Sequence, residues 1–325
     1  MSKAVKEIVS EIKETMNLRG GLKQVYFVAC GGSKAAIFPG LYLLQSEAKS
    51  FGATTYTSNE FVHAAPKELD EQCIAVICSL KATPETVEAV KTANKAGAIT
   101  IAMTGSMDTG MAKVGQYVVT YSNGDDQVYS NSNQANALRI GFELLHQIEG
   151  WENYQKAMDA YRYIDDIVME GKKNCLAEAK EWAAKEKNEP VFYVLASGPN
   201  YGVAYSMCCC HFMEMQWKHA VCLHTGEYFH GPFETTDQNL SMILIMSEGR
   251  TRALDERCLR FLNTYAKYFI VIDFKKINKG RIDTAVAEFF NPVVLIPIER
   301  YYVAQMAEIR DHSMDERRYM WKVEY

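Results

Sequence analysis

No apolar run in the 325 residues reaches the roughly 18 that a membrane-spanning helix needs. The N-terminal stretch from Met1 to Asn17 alternates Lys and Glu with apolar residues and lacks the apolar centre of a secretion signal. The nine cysteines are odd in number and stand at no zinc-site spacing. That argues against a disulfide framework and for free thiols in a reducing compartment. Positive charge is in short supply: 35 basic residues against 40 acidic leave a net charge of −5. A surface for nucleic acid or another polyanion is therefore not expected, and a small anionic substrate has to be gripped by local groups. With no Pro-rich linker, low-complexity tract or membrane segment, the chain reads as a soluble cytoplasmic protein. Its length suits two domains or one large one.

What is present is a repeating alternation. Residues 2–18 carry Val5, Ile8, Val9, Ile12 and Met16 at helical spacing. Val25–Cys30 is a short run, apolar on both sides, that stops at Gly31-Gly32 and leads into an Ala- and Leu-rich stretch. Such a run reads as a buried strand entering a helix. Strands are expected at Cys73–Ser79, Ile99–Met103 and Tyr117–Tyr121, with helices at Thr83–Ala96 and Asn133–Glu149. The second half repeats the plan. Strands are expected at Val191–Ala196, Ser241–Met246, Tyr268–Asp273 and Val293–Ile296. Helices are expected at Tyr201–Lys218, Arg252–Lys267, Ile282–Phe290 and Glu299–Arg310. Strands alternating with helices predict an α/β fold with parallel sheets flanked by helices. The string from Val25 to Ser33 also matches the one from Val191 to Pro199, about half the chain further on. The halves therefore read as duplicated domains: residues 1–150 with a leading helix, and 151–325 with a helical linker and a C-terminal tail that docks.

The turns after the strands carry the first chemistry. Gly31-Gly32-Ser33 opens a helix, whose N-terminal amides suit an anion. The glycine spacing is not that of a dinucleotide fingerprint, and no Gly-Lys-Ser/Thr of a P-loop follows. Ser79-Leu-Lys-Ala-Thr-Pro-Glu-Thr86 gathers three hydroxyls and the Lys81 ammonium at a second helix start, a set suited to phosphate. The same residues also serve as an ordinary cap, with Pro84 at the first helical position. The densest cluster of titratable groups runs from Glu214 through His219, His224, Glu227 and His230 to Glu234. Glu214 lies among Phe212, Met213, Met215 and Trp217. An apolar shell there would raise its pKa and ready it for proton transfer, whereas a place on the solvent stripe would make it an ordinary surface acid. His230, before Gly231-Pro232, sits where a turn can aim it into a cleft. Cys208-Cys209-Cys210-His211 invites a metal reading. Consecutive helical residues diverge by about 100° and cannot share one ion, so packed thiols are expected and no metal.

These residues place the chain beside a known family. Phe212-Met-Glu-Met-Gln-Trp217, Thr225-Gly-Glu-Tyr-Phe-His-Gly-Pro232 and Arg318-Tyr-Met-Trp-Lys-Val-Glu-Tyr325 resemble the double sugar-isomerase (SIS) phosphosugar proteins. Within these they are most similar to the fructosamine 6-phosphate deglycases. The resemblance covers the chain after its first helix. It implies that Gly32, Ser33, Ser79, Lys81 and Thr83 hold a sugar 6-phosphate, and the matching turn Ser197-Gly198 is placed with that substrate-binding set. It implies that Glu214 is the base at carbons 1 and 2. His230 is implied to act on the ring oxygen or as general acid, Glu227 to orient it, and Lys322 to stand where relatives carry a tail lysine. It further implies a homodimer with shared sites, and the scheme requires no metal or redox cofactor.

Two departures are visible. The phosphate loop of the family usually reads Ser-x-Ser/Lys-Gly-x-Thr, and here Ser79-Leu-Lys-Ala-Thr83 is one residue shorter and lacks the glycine. Residue 2 is Ser and no glutaminase domain is visible before the first strand, so a whole glutamine-dependent synthase is not expected. A deglycase releasing glucose 6-phosphate and a free amino acid is the leading expectation. An aldose–ketose phosphosugar isomerase and a non-catalytic phosphosugar sensor are the alternatives.

Overall fold

The computed structural model describes residues 3–122, 124 and 126–324. Ser2, the expected start of the first helix, and Tyr325, the end of the tail, lie outside the described residues. The chain divides into two compact units, Met1–Arg162 and Tyr163–Tyr325. No helix among the described residues is long and apolar enough to cross a membrane.

The first unit is built on strands β1 (Gln24–Val28), β2 (Gly52–Tyr56), β3 (Cys73–Cys78), β4 (Ile99–Thr104) and β5 (Tyr117–Thr120), in the order β2-β1-β3-β4-β5. Every pairing is parallel. Both faces are covered, which is why β3 reads as an unbroken apolar run, β4 departs from one only at Thr100 and Thr104, and both are buried throughout. Along β1, Tyr26 and Val28 pack with Ala89 and Val90 of the helix Pro84–Lys95. Phe27 turns to the other face, against Gly40 of the helix Gly31–Glu47.

The second unit repeats the arrangement with β6 (Val191–Ala196), β7 (His219–His224), β8 (Ser241–Met246) and β9 (Tyr268–Asp273), in the order β7-β6-β8-β9. Its ladders are parallel too, and their register repeats that of the first sheet. The sequence separation between Gln24 and its partner Gly52 equals that between Val191 and His219. The separation between Gln24 and Cys73 likewise equals that between Phe192 and Ser241. The left-handed glycine that follows the first strand is Gly31 in one unit and Gly198 in the other. With Val25 set against Val191, Gly31 falls opposite Ser197, so Gly198 comes one position later. On one face of the second sheet Phe192 stacks on Phe212 at 4.4 Å. On the other, Leu195, Met242 and Leu244 pack with Cys258 and Leu262 of the helix Arg252–Tyr265.

Three expectations need correcting. Val293–Ile296 is not a strand. It lies inside one 24-residue helix, Ala287–Arg310, together with Pro292 and Pro297. So short an apolar run fits a buried strand and a buried helix equally well, and here it is buried against the long helix Ile164–Glu186. Of the helices expected on either side, Glu299–Arg310 is part of that element, whereas only the last four residues of Ile282–Phe290 are, and residues 282–286 form turns before it. Second, β2 and β7 are strands that the sequence does not announce. Both are edge strands of mixed exposure, so neither shows the two-sided apolar run of a central strand. Third, the helices expected at Asn133–Glu149 and Tyr201–Lys218 change type. The first becomes π-helical over Leu145–Glu149, and the second over Ser206–Glu214.

The helices Gly31–Glu47 and Asn133–Leu144 cross with backbone against backbone. A Cβ on Gly40 would stand 2.5 Å from the carbonyl oxygen of Ala137, and one on Gly141 would stand 3.0 Å from Leu43 Cδ2. A carbonyl oxygen cannot step aside as a flexible side chain does. We expect Gly40→Ala to destabilise the protein by about 1–3 kcal/mol through overpacking. Thermal denaturation followed by circular dichroism checks this, and an unchanged midpoint would refute the packing account.

Candidate active site

In a sheet of order 2-1-3-4, the connections leave strands 1 and 3 in opposite directions and open a crevice beyond their carboxyl ends. In the first unit that crevice lies between β1 and β3, and the two expected turns flank it. After β1, Gly31 takes φ +53° and starts the helix carrying Gly32, which is exposed, and Ser33. Beside Ser33, Cys78 donates to the Tyr121 hydroxyl at 3.6 Å, and burial pushes its thiol up to about 11. After β3, Ser79 is buried, and its Oγ accepts the Thr83 amide at 3.3 Å. Thr83 stands at the N-cap but makes no side-chain cap. Its hydroxyl pairs with that of Thr86 at 2.7 Å. Lys81 is exposed in the same turn. Ala82 takes φ +52° there, the left-handed conformation that the family's loop glycine would adopt freely and that costs a residue with a Cβ of order 1 kcal/mol or more. The loop thus keeps a glycine-type bend without the glycine.

The second unit has the corresponding crevice between β6 and β8, and its own carboxylate occupies it. Asp255 is fully buried. Its Oδ1 accepts Ser197 Oγ at 2.6 Å and Thr225 Oγ1 at 3.0 Å. Its Oδ2 accepts the Ser247 amide at 2.9 Å and Ser247 Oγ at 2.7 Å. Ser247 and Thr251 follow β8 with the spacing that Ser79 and Thr83 have after β3. The next helical turn beyond Thr251 brings Asp255; the same step beyond Thr83 brings Val87. Ser197 is therefore fully buried and bonded to Asp255, and Gly198 lies against Thr251, whose Oγ1 is 2.5 Å from where a Cβ would be. Both residues close the second crevice from within.

Glu214 ends the π-helical segment Ser206–Glu214. Of the two surroundings left open for it, an apolar shell or the solvent stripe, the structure gives neither in full: its side chain is half-buried. Met213 and Trp217 are exposed, and the Glu214 carboxylate pairs with Arg317 of the tail at 2.8 and 2.9 Å. Lys322 donates to the Arg317 carbonyl. The tail is held further by Arg318 over the Trp217 ring at 4.3 Å, and by Gln216 Nε2, which donates to the His312 carbonyl at 2.9 Å. On the same segment Cys208 and Cys210 are buried, and His211 Nδ1 lies 2.8 Å from Glu299 Oε2 in a fully enclosed pair.

Glu227 and His230 share one turn, with the His230 amide donating to the Glu227 carbonyl at 2.9 Å. Between them Tyr228 is fully buried, edge-on to Phe229 and Phe261, with its hydroxyl paired to Thr236. Tyr228 anchors the loop, and Glu227 and His230 face outwards. Among the described residues neither is hydrogen-bonded to Glu214 or Lys322. Sequence reasoning does not find Arg317 or Asp255. An arginine in an aromatic tail and an aspartate in the first turn of a helix carry no signal of their own.

No family model matches the chain. It is 38% identical over 328 residues to fructosamine deglycase FrlB of Bacillus subtilis (strain 168), covering 100% of both. It is 22% identical over 315 residues to the fructoselysine 6-phosphate deglycase of Escherichia coli (strain K12), covering 96% of this chain and 89% of the other. A solved structure from Bacillus subtilis, described as a phosphosugar isomerase, matches with a TM-score of 0.95 at 37% identity, covering 99% of this chain and 97% of that one. Two parallel-sheet units with crevices at equivalent strand ends make this a double SIS-domain phosphosugar protein. Within that class the chain belongs to the fructosamine deglycase family.

Removing the acceptor at the centre of the second crevice should be costly. Asp255→Ala strands three hydroxyls and one amide in a buried site. We expect a loss of about 3–5 kcal/mol, read as a lower calorimetric melting temperature. A wild-type melting temperature would show that the network is not structural.

Proposed function

We propose that the chain is a deglycase acting on a fructose-amino acid 6-phosphate, releasing glucose 6-phosphate and the free amino acid. The observation that carries this reading is the full-length 38% identity to a fructosamine deglycase. The geometry supports it at two places. The first unit's crevice offers the hydroxyls of Ser33, Ser79 and Thr83 and the helix starts at Gly31 and Pro84, a donor set for a dianionic phosphate. Asp255 and its partners close the second unit's crevice, which leaves one phosphate crevice per chain in this reading.

In the proposed reaction the Glu214 carboxylate takes a proton from carbon 1 of the ketosamine. The C–H electron pair moves to make the carbon 1–carbon 2 double bond of an enaminol, and the carbon 2 oxygen takes up a proton. Reprotonation at carbon 2 turns the enaminol into an imine between carbon 1 and the amino acid nitrogen. Water adds to that imine, the carbon–nitrogen bond breaks, and the aldose phosphate and the amine depart. His230 serves ring opening or general-acid transfer, Glu227 orients it, and Lys322 assists from the tail. Each positioned acid or base contributes about a hundredfold to ten-thousandfold. Glu227 and His230 are exposed on the single chain, which supports the reading that a second copy completes the site in a homodimer.

A coupled glucose 6-phosphate assay tests the reading, with a panel of fructose-amino acid 6-phosphates and fructose 6-phosphate as control. We expect glucose 6-phosphate from the conjugates only, and the fastest conjugate identifies the amino acid. Turnover of fructose 6-phosphate alone would make the protein an isomerase. Binding without turnover of any would favour a sensor. Glu214→Gln, nearly isosteric, should keep the fold and lose about a hundredfold or more in kcat. Wild-type turnover by that variant would remove Glu214 as the base.

A further inference from the structure

We infer that Arg317 is a positioning residue for Glu214, so that the C-terminal tail aims the base. The inference rests on the reading of Glu214 as the proton acceptor. Arg317 is only 8% exposed, and a guanidinium is seldom so enclosed unless its donors are matched. Here they are. Nη1 donates to the carbonyls of Met314 at 2.8 Å and Glu316 at 2.9 Å. The guanidinium carbon lies 5.7 Å from the centre of the Trp321 ring. With those contacts made, Nε and Nη2 remain, and both reach the same oxygen of Glu214, Oε1, at 2.9 and 2.8 Å.

That asymmetry has a chemical consequence. One hydrogen bond from Nε, with the rest of a rigid planar cation against the same oxygen, tethers Oε1 and leaves Oε2 as the oxygen that receives a proton. A carboxylate at the end of a helical segment otherwise samples several rotamers, and holding one of them lowers the entropic part of the barrier. Lysine cannot reproduce the fork, since its ammonium is a point charge on a flexible stem. Lys322 belongs to the same assembly through its bond to the Arg317 carbonyl. Base and tail lysine are thus tied to one residue.

The test uses the full chain and the conjugate turned over fastest in the panel above. Arg317→Lys and Arg317→Ala are compared with Glu214→Gln, with melting temperatures recorded for all. We expect Arg317→Lys to lower kcat by about 10- to 100-fold with KM little changed, because misplacement of a reacting group acts on the chemical step. Arg317→Ala removes the guanidinium altogether, and its kcat should fall at least as far, again with KM little changed. Loss confined to KM, or wild-type kcat in both Arg317 variants, would overturn the inference. The two failures are separable. An active Glu214→Gln refutes the base itself. An inactive Glu214→Gln beside unaffected Arg317 variants refutes only the positioning.

Discussion

Each sheet is parallel throughout, so every strand delivers its carboxyl end, and the turn after it, to the same edge. Where neighbouring strands send their connections in opposite directions, the turns separate and a crevice opens. The rest of the architecture depends on this constraint. It brings Ser33 and Ser79, well separated in sequence, to adjacent strand ends in the first unit, and Ser197 and Ser247 to the equivalent ends in the second. Helix starts line both crevices, so both are built to favour negative charge.

The two crevices share a register and differ in what neutralises that preference. In the second unit Asp255 supplies a carboxylate from within, satisfied by three hydroxyls and an amide. In the first, the position with the same spacing is Val87, which offers no acceptor. One residue in the first turn of a helix thus separates a crevice with a buried carboxylate at its centre from one without. The strained backbone at Ala82 fits this division, because left-handed residues with side chains persist where surrounding structure holds them and gather at ligand sites.

A second organising interaction joins the π-helical segment to the tail. Wider winding over Ser206–Glu214 leaves Phe212 buried against Phe192 while Glu214 turns towards Arg317. On the neighbouring loop, Tyr228 performs the complementary task by burying itself so that Glu227 and His230 face outwards. In both places a large buried aromatic sets the direction of a titratable neighbour.

The central strands were legible in the sequence because a strand buried on both faces must be largely apolar, and β1, β3, β4, β6 and β8 carry at most two polar residues each. The glycine and hydroxyl turns were legible because helix starts demand such residues, and Gly-Glu-x-x-His-Gly-Pro stood out as a contiguous motif. The strands β2 and β7 were not legible, since β2 reads Gly-Ala-Thr-Thr-Tyr and β7 begins and ends with histidine, so neither offers a clean apolar run. The helix through Val293–Ile296 was misread because a short apolar run carries no period of its own. Tertiary structure alone decided that Asp255 fills the second crevice and that Arg317 meets Glu214. Ser197 and Thr225 meet Asp255, and Arg317 meets Glu214, from far away in the chain, and the local sequence around them constrains only backbone conformation and burial. Which distant group a buried donor or carboxylate meets is settled by packing.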